Sequence, residues 1–372
     1  MRLKLLILAI CVCVPLMLRA QDPELKKRTP ENVAAKAKSD LLITLDIEVA
    51  DAQGKAVQGL LERDFVLKDN GEAKQLNSFQ EIDALAGKAP VEVILVLDAM
   101  NASFEDVAIM RQGMDAFLQQ NGGHLQIPVS VVFLTDMGIK LHPASVNGLD
   151  LAKDLSGMQT PMHVLSSAQG LSGAIDREQR SVSALQMLAT YEASKPGRKL
   201  MVWMGPGWPL LAGARMSSPS PENARRFYSS IVDTTTQLRR ARITLYSVAP
   251  LNLHAAEPSA FLYQDYLKGV TTPAQADTPN LAVQVLAVHS GGLVLSKSGD
   301  LPGEINRCVA DASSYYEVAF DAVDGNDLGV YRSIEVVVDR PGAKARTNTA
   351  YYAGVPQSTG GAAKSAAAKQ AP

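Results

Sequence analysis

The hydrophobic period of this chain changes twice. From Leu41, "LLITLDIEVADAQGKAVQGLLERDFVLKDNGEAKQLNSFQEI" alternates, with Ile43, Leu45, Ile47 and Val49 on one side and Thr44, Asp46 and Glu48 on the other. That is the period of a half-buried strand. "DAQGK" and "KDNGE" supply the Gly and Asn that hairpin turns need at positive φ, so a small antiparallel unit of roughly four strands is predicted over 40–85. Within 88–313 the pattern becomes apolar runs separated by helical stretches. The runs are "VEVILVL", "IPVSVVFL", "KLMVWM", "RITLYSV" and a weaker "GLVLS". Between them lie "FEDVAIMRQGMDAFLQQ", "SSAQGLSGAIDREQRSVSALQMLATYEAS" and "SPENARRFYSSIVDTTTQLRRAR". In the first of these, Val107, Met110, Met114, Phe117 and Leu118 share one helical face. Ser220-Pro221-Glu222 is a helix opening, with a hydroxyl cap, a first-turn proline and an acid near the positive end.

Strands alternating with helices predict an α/β fold, a doubly wound and mostly parallel sheet covered on both faces. "IPVSVVFLTDMGIKLHP" interrupts it: the turn at Asp136-Met137-Gly138 is too short for a crossover, so one strand must be antiparallel. After "LPGEINRCVADAS" the alternation returns over 314–354, with Val318 and Phe320 inward on one strand and Ile334, Val336 and Val338 on the next. Neither this pair nor the unit at 40–85 can close a core alone. The two ends of the chain are therefore expected to pair into one small β-sandwich, with the α/β part inserted between them.

The termini carry a different signal. Residues 1–21 have a basic start (Arg2, Lys4), an apolar run of 14 residues from Leu5 to Leu18, and small Ala20 near the end. This reads as a secretory signal peptide, short of the roughly 20 residues that span a bilayer. Residues 22–39 read as a polar linker, and 355–372 ("PQSTGGAAKSAAAKQAP" within it) as a disordered low-complexity tail. Cleavage of the signal removes Cys11 and Cys13 and leaves Cys308 alone, so the exported chain has no internal disulfide. It also leaves 33 basic against 38 acidic residues, a net charge of −5, which offers nothing to a nucleic acid. With 47% hydrophobic and 20% charged residues, the chain has room for one large core or two smaller ones.

The most suggestive chemistry is at "LVLDAMNAS", where a buried-strand pattern stops at Asp98. Open α/β sheets bind ligands at the carboxyl ends of their strands. A strand ending in Asp, a helix, a hairpin and then alternating helices and strands resembles a von Willebrand factor A-type domain. The chain is similar overall to secreted bacterial VWFA-related proteins of the kind common in acidobacteria. The resemblance is carried in order by "LDIEVADAQGKAVQGLLERDFVLKDNGEAKQLNSF", "VILVLDAMNASFEDVAIMRQ", "GRKLMVWMGPGWPLLAG", "RITLYSV", "SGGLVL" and "YYEVAFDA…YRSIEVVVDRPGAKARTNTAYYA", roughly residues 40–353. It implies a metal-ion-dependent adhesion site, built from Asp-x-Ser-x-Ser, a distant Thr and a later Asp, in which Mg²⁺ takes oxygen ligands. Asp98 matches the first acid and Thr160 the threonine. The serine positions are Met100 and Ala102, with Asn101 and Ser103 displaced by one, and Gly205-Pro206-Gly207 stands where the second acid belongs. The site is degenerate on this reading, with no metal or other cofactor expected.

Asp98 itself reads as a loop-organising or capping acid ahead of a ligand. "MGPGWPLLAG" fails as a phosphate-binding glycine loop, because its third glycine falls at Leu210 and two prolines oppose a helix. Trp208 is then either the packed centre of a rigid turn or an aromatic anchor on the rim. His124, His142, His163, His254 and His289 show no metal-ligand spacing. Cys308 sits in a helical pattern beside Ile305 and Val309 as a small hydrophobe. "LRRAR" places Arg239, Arg240 and Arg242 at a helix end, where cations suit the dipole. No Gly-x-Ser-x-Gly elbow is present. The chain is accordingly expected to be an exported, periplasmic or secreted, non-enzymatic module that binds a protein partner. Its contact surface would be Asp98 to Ser103, the loop at Thr160, and Gly205 to Leu210, with Asp98, Asn101, Ser103, Thr160 and Trp208 as the contact residues. The alternatives are a Mg²⁺-dependent adhesion module with an altered ligand set and, less well supported, a hydrolase.

Overall fold

The computed structural model describes residues 42–87, 89–157, 170–209, 219–249, 262–296, 298–322 and 329–354. The expected signal peptide, linker and tail, together with Thr160, His163 and His254, lie outside these residues. Strands β1 (Leu42–Ala50), β2 (Phe65–Asp69), β3 (Glu72–Lys74) and β4 (Ser78–Asp83) come first. The central part runs β5 (Val91–Asp98), α1 (Phe104–Leu118), β6 (His124–Thr135), β7 (Gly138–Asn147), α2 (Gly148–Gly157), α3 (Gly170–Glu192), β8 (Arg198–Met204) and α4 (Pro221–Arg240). It continues with β9 (Ile243–Val248), α5 (Val283–His289), β10 (Val294–Leu295) and α6 (Leu301–Ser313). Strands β11 (Ser314–Asp321), β12 (Val330–Val338), β13 (Lys344–Arg346) and β14 (Ala350–Ala353) follow.

The central sheet has six strands in the order β10-β9-β8-β5-β6-β7. All neighbours are parallel except β6 and β7, which form the expected hairpin, with Thr135 opposite Gly138. Apolar side chains leave β5 on both faces, as a strand buried on both sides requires. Val93, Leu95 and Leu97 meet α1, α2 and α6 through Met110, Met114, Leu155 and Ile305. Ile94 and Val96 meet α3, α4 and α5 through Leu185, Ile231 and Leu286. The five positions read as the apolar face of α1 are all buried, and Ser220 caps α4 by accepting from Asn223 N at 3.3 Å.

The flanking strands form two further antiparallel sheets, β13-β1-β11-β4 and β14-β12-β2-β3. Among the first four strands, only β2 and β3 pair with each other, through a two-residue turn with Asn70 and Gly71 at φ 50° and 83°. Strand β1 instead pairs with β11 and β13, β4 with β11, and β2 with β12. The alternation at 40–85 thus marks strands but not a self-contained unit. Their shared core holds Ile43, Leu45, Ile47, Phe65, Leu67, Val318, Phe320, Ile334 and Tyr351.

A network of charges joins these sheets to the amino ends of the central strands. Buried Arg198, the first residue of β8, is bonded to Glu48 of β1 and lies over the ring of Tyr315. Arg242, just before β9, pairs with Asp46 of β1 and Glu317 of β11. Arg346 of β13 pairs with Asp311 of α6, which also accepts from Tyr246 Oη at 2.8 Å. Low dielectric makes such pairs strong when geometrically complete and costly when one partner is lost.

Candidate functional site: the carboxyl end of β5

Strand order reverses between β5 and β8, since β5 has its successor β6 on one side and β8 on the other. Asp98, the last residue of β5, stands at that switch point and is fully buried. Its Oδ1 accepts from the backbone N–H of Asn101 at 3.0 Å. Its Oδ2 accepts from Asn101 Nδ2 at 2.8 Å and from the indole Nε1 of Trp203 at 2.9 Å. Burial raises the Asp98 pKa, and these donors oppose the rise. The half-buried Arg177 of α3 is close enough to feel the Asp98 charge.

Each neighbouring residue has a defined task. Asn101 also donates to Ser181 Oγ of α3 at 2.9 Å, so the loop after β5 is tied to a helix on the far side of the crevice. Met100 and Ala102 point into the two cores and are buried. Ser103 is the N-cap of α1. Its Oγ accepts from Asp106 N at 3.1 Å, while Asp106 accepts from Ser103 N at 3.3 Å, a reciprocal capping box. Just after β8, Gly205 lies against Asp98, and a Cβ added there would sit 3.0 Å from the Asp98 Cβ.

Trp208 is 2% exposed, and its ring meets Trp203 edge-on with centroids 5.2 Å apart. Of the two readings of Trp208, the structure shows the packed one and not the exposed anchor: the turn after β8 folds the indole inward, against the ring of Trp203. Large exposed apolar side chains at this end of the sheet are Phe104 at the start of α1 (72% exposed), Met137 in the β6–β7 turn (76%) and Leu171 at the start of α3 (56%). Sequence reading missed all three. Their only signal was position, in the first turn of a helix or in a hairpin turn, where a periodic apolar face is not required. An open groove of about 700 Å³ lies at the same end beside the start of α4, with Pro219, Pro221, Tyr266 and Pro273 in its walls.

Other candidates resolve into structure. His142 pairs with Asp154 and His289 Nδ1 with Thr349. Among the described residues, no three His, Cys, Asp or Glu side chains gather in a way that could hold a metal ion. Cys308 is buried, and desolvation raises its thiol pKa well above the usual range, the opposite of an activated nucleophile. Glu178, on the inward side of α3, is also buried, and burial alone pushes its carboxyl up to about 7. Nothing in its sequence surroundings marked it.

No protein-family profile and no curated protein sequence matches this chain. Among solved structures, it is similar to an aerotolerance-related membrane protein from Bacteroides fragilis, at 9% identity and a TM-score of 0.34, over 60% of this chain and 98% of that one. It is also similar to the pilus adhesin SpaC from Lactobacillus rhamnosus GG, at 10% identity and a TM-score of 0.33, over 82% of this chain and 48% of that one.

Proposed function

We propose that this chain is an exported, non-enzymatic protein-binding module: a von Willebrand A-like α/β domain, set between sheets built from both chain ends, that meets a protein partner at the carboxyl ends of its parallel strands without a metal ion. The strand order, with its antiparallel β7 at the edge, supports the von Willebrand A-like reading. The observation that carries the binding surface is the exposure of Phe104, Met137 and Leu171 in segments that follow or precede the carboxyl ends of the strands, while Asp98 at the end of β5 is buried. Exposed apolar side chains become recognition elements where they join into one patch, which is what the triple substitution below tests. Among the described residues, no helix is long and apolar enough to cross a membrane.

The residues at the crevice do not fit the Mg²⁺ that the resemblance implies. A hard cation needs several oxygens in near-octahedral array. Both Asp98 oxygens already accept N–H donors, the Ser103 hydroxyl caps a helix, and Met100 and Ala102 bring no oxygen. At Gly205 the approach of Asp98 is too tight for a second side chain without displacing the first.

The test is capture of binding partners from envelope extract by wild type and by the triple variant Phe104→Ser, Met137→Ser, Leu171→Ser, each with and without chelator. The proposal expects capture that survives chelator and is lost in the triple variant. Capture abolished by chelator would favour the Mg²⁺-dependent reading, and capture unchanged in the triple variant would discard this surface.

A further inference from the structure

We infer that Trp203 is a positioning residue: its indole N–H, together with Asn101, satisfies the Asp98 carboxylate where a cation would otherwise be needed, and so fixes the β5–α1 loop without metal. The role of that loop in partner contact rests on the function proposed above; the hydrogen-bonded clasp itself does not.

The geometry is closed on every side. Oδ2 of Asp98 receives two donors, Asn101 Nδ2 at 2.8 Å and Trp203 Nε1 at 2.9 Å, and Oδ1 receives the Asn101 backbone at 3.0 Å. Hydrogen bonds to an ionised acceptor are the strong ones, and here three converge on one buried anion. The Asn101 amide cannot turn over, because its carbonyl would then face the carboxylate. That fixes Oδ1 of Asn101 in a buried position where it has no hydrogen-bond partner. The other Asn101 amide hydrogen goes to Ser181 Oγ, which in turn donates to the Arg177 carbonyl at 2.8 Å, so α3 braces the clasp. Trp203 cannot swing away: it is fully buried in the strand, and the ring of Trp208 lies edge-on against it. In the sequence, Trp203 is only one apolar position in "KLMVWM". Register makes it functional, since pairing Val96 with Trp203 sets the indole beside the end of β5.

The chain contains two tryptophans, and both are in this cluster. A ¹H–¹⁵N spectrum of the full chain therefore shows two indole N–H signals, assigned by Trp208→Phe. The inference expects the Trp203 signal downfield, and neither signal moved or broadened by millimolar Mg²⁺ or Mn²⁺. Asp98→Asn should move the Trp203 signal upfield. Asn101→Ala removes the donor that shares Oδ2, so it should move the Trp203 signal further downfield. The second variant keeps the test decisive if the first does not fold. Paramagnetic broadening of Trp203 by Mn²⁺, or a Trp203 signal indifferent to both substitutions, would overturn the clasp. No partner capture enters this measurement, so its failure is separate from a failure of the binding surface.

Discussion

The two ends of the central sheet treat their buried and half-buried carboxylates in different ways. At the amino ends, each is matched with a cation: Glu48 with Arg198, Asp46 with Arg242, and Glu92 and Glu192 with Lys195 at 3.2 and 2.8 Å. At the carboxyl ends, the hydrogen bonds Asp98 accepts from the described residues come from neutral donors, and Arg177 interacts with its charge, while burial pushes up the carboxyl of Glu178 on the adjoining helix. Paired charges need a fixed geometry and resist change once it is made, which suits a junction between sheets. A carboxylate held by an amide and an indole keeps a loop in shape without a matching cation in contact with it. The same residue type thus ties sheets together at one end and holds a loop in place at the other.

Substitutions at the two ends can break this contrast. The largest effect should come from Arg198→Met, which leaves Glu48 buried without its cation and should lower the unfolding free energy by about 3–5 kcal/mol in urea denaturation. The double variant Arg198→Met, Glu48→Leu should recover much of that loss, and failure to recover it would mean that packing, not charge, holds the junction. Next is Glu178→Gln. The folded-state pKa of Glu178 is raised from 4.5 to about 7. Its contribution to stability is therefore fully present below about 4.5 and lost as pH rises through 7. The glutamine variant should match wild type at pH 4 and exceed it at pH 8, by on the order of 2 kcal/mol. An equal difference at both pH values would show that Glu178 does not titrate with burial. Trp203→Phe should cost about 1–2 kcal/mol, because Asp98 Oδ2 keeps its Asn101 donor while losing one bond. Ser103→Ala removes the α1 cap and should cost about 1 kcal/mol. A larger loss at Ser103 than at Trp203 would reverse the ranking of cap and clasp.

Much of this architecture was legible from periodicity. The apolar face of α1, the cap of α4, the β6–β7 hairpin and the Asn70-Gly71 turn all follow from spacing and turn chemistry. Helix α5 left no such trace because Val283 to Ala287 are all buried, so it lacks the polar face that makes a helix recognisable. Pairing partners of the first four strands were only partly visible, since alternation sets which side faces inward and says nothing about the neighbour. At the candidate site, Asp98 was found as a strand end, while Trp203 was hidden among core residues and Trp208 carried the attention that its sequence position invited. The difference between them is a matter of register, which single-sequence patterns do not encode.

The joining of the first strands to the last also has a temporal side. Tyr351 donates to Asp69 across 282 residues of chain at 3.0 Å, and the backbone of Leu60 reaches Tyr316 across 256. During synthesis from the amino terminus, the earliest strands wait with open edges until nearly everything else exists. Folding of such non-local pairs is slow, and open edges meanwhile invite association with other chains. A chain built this way gains from a chaperone, or from passage through a membrane in extended form, which delays collapse until its last strands arrive.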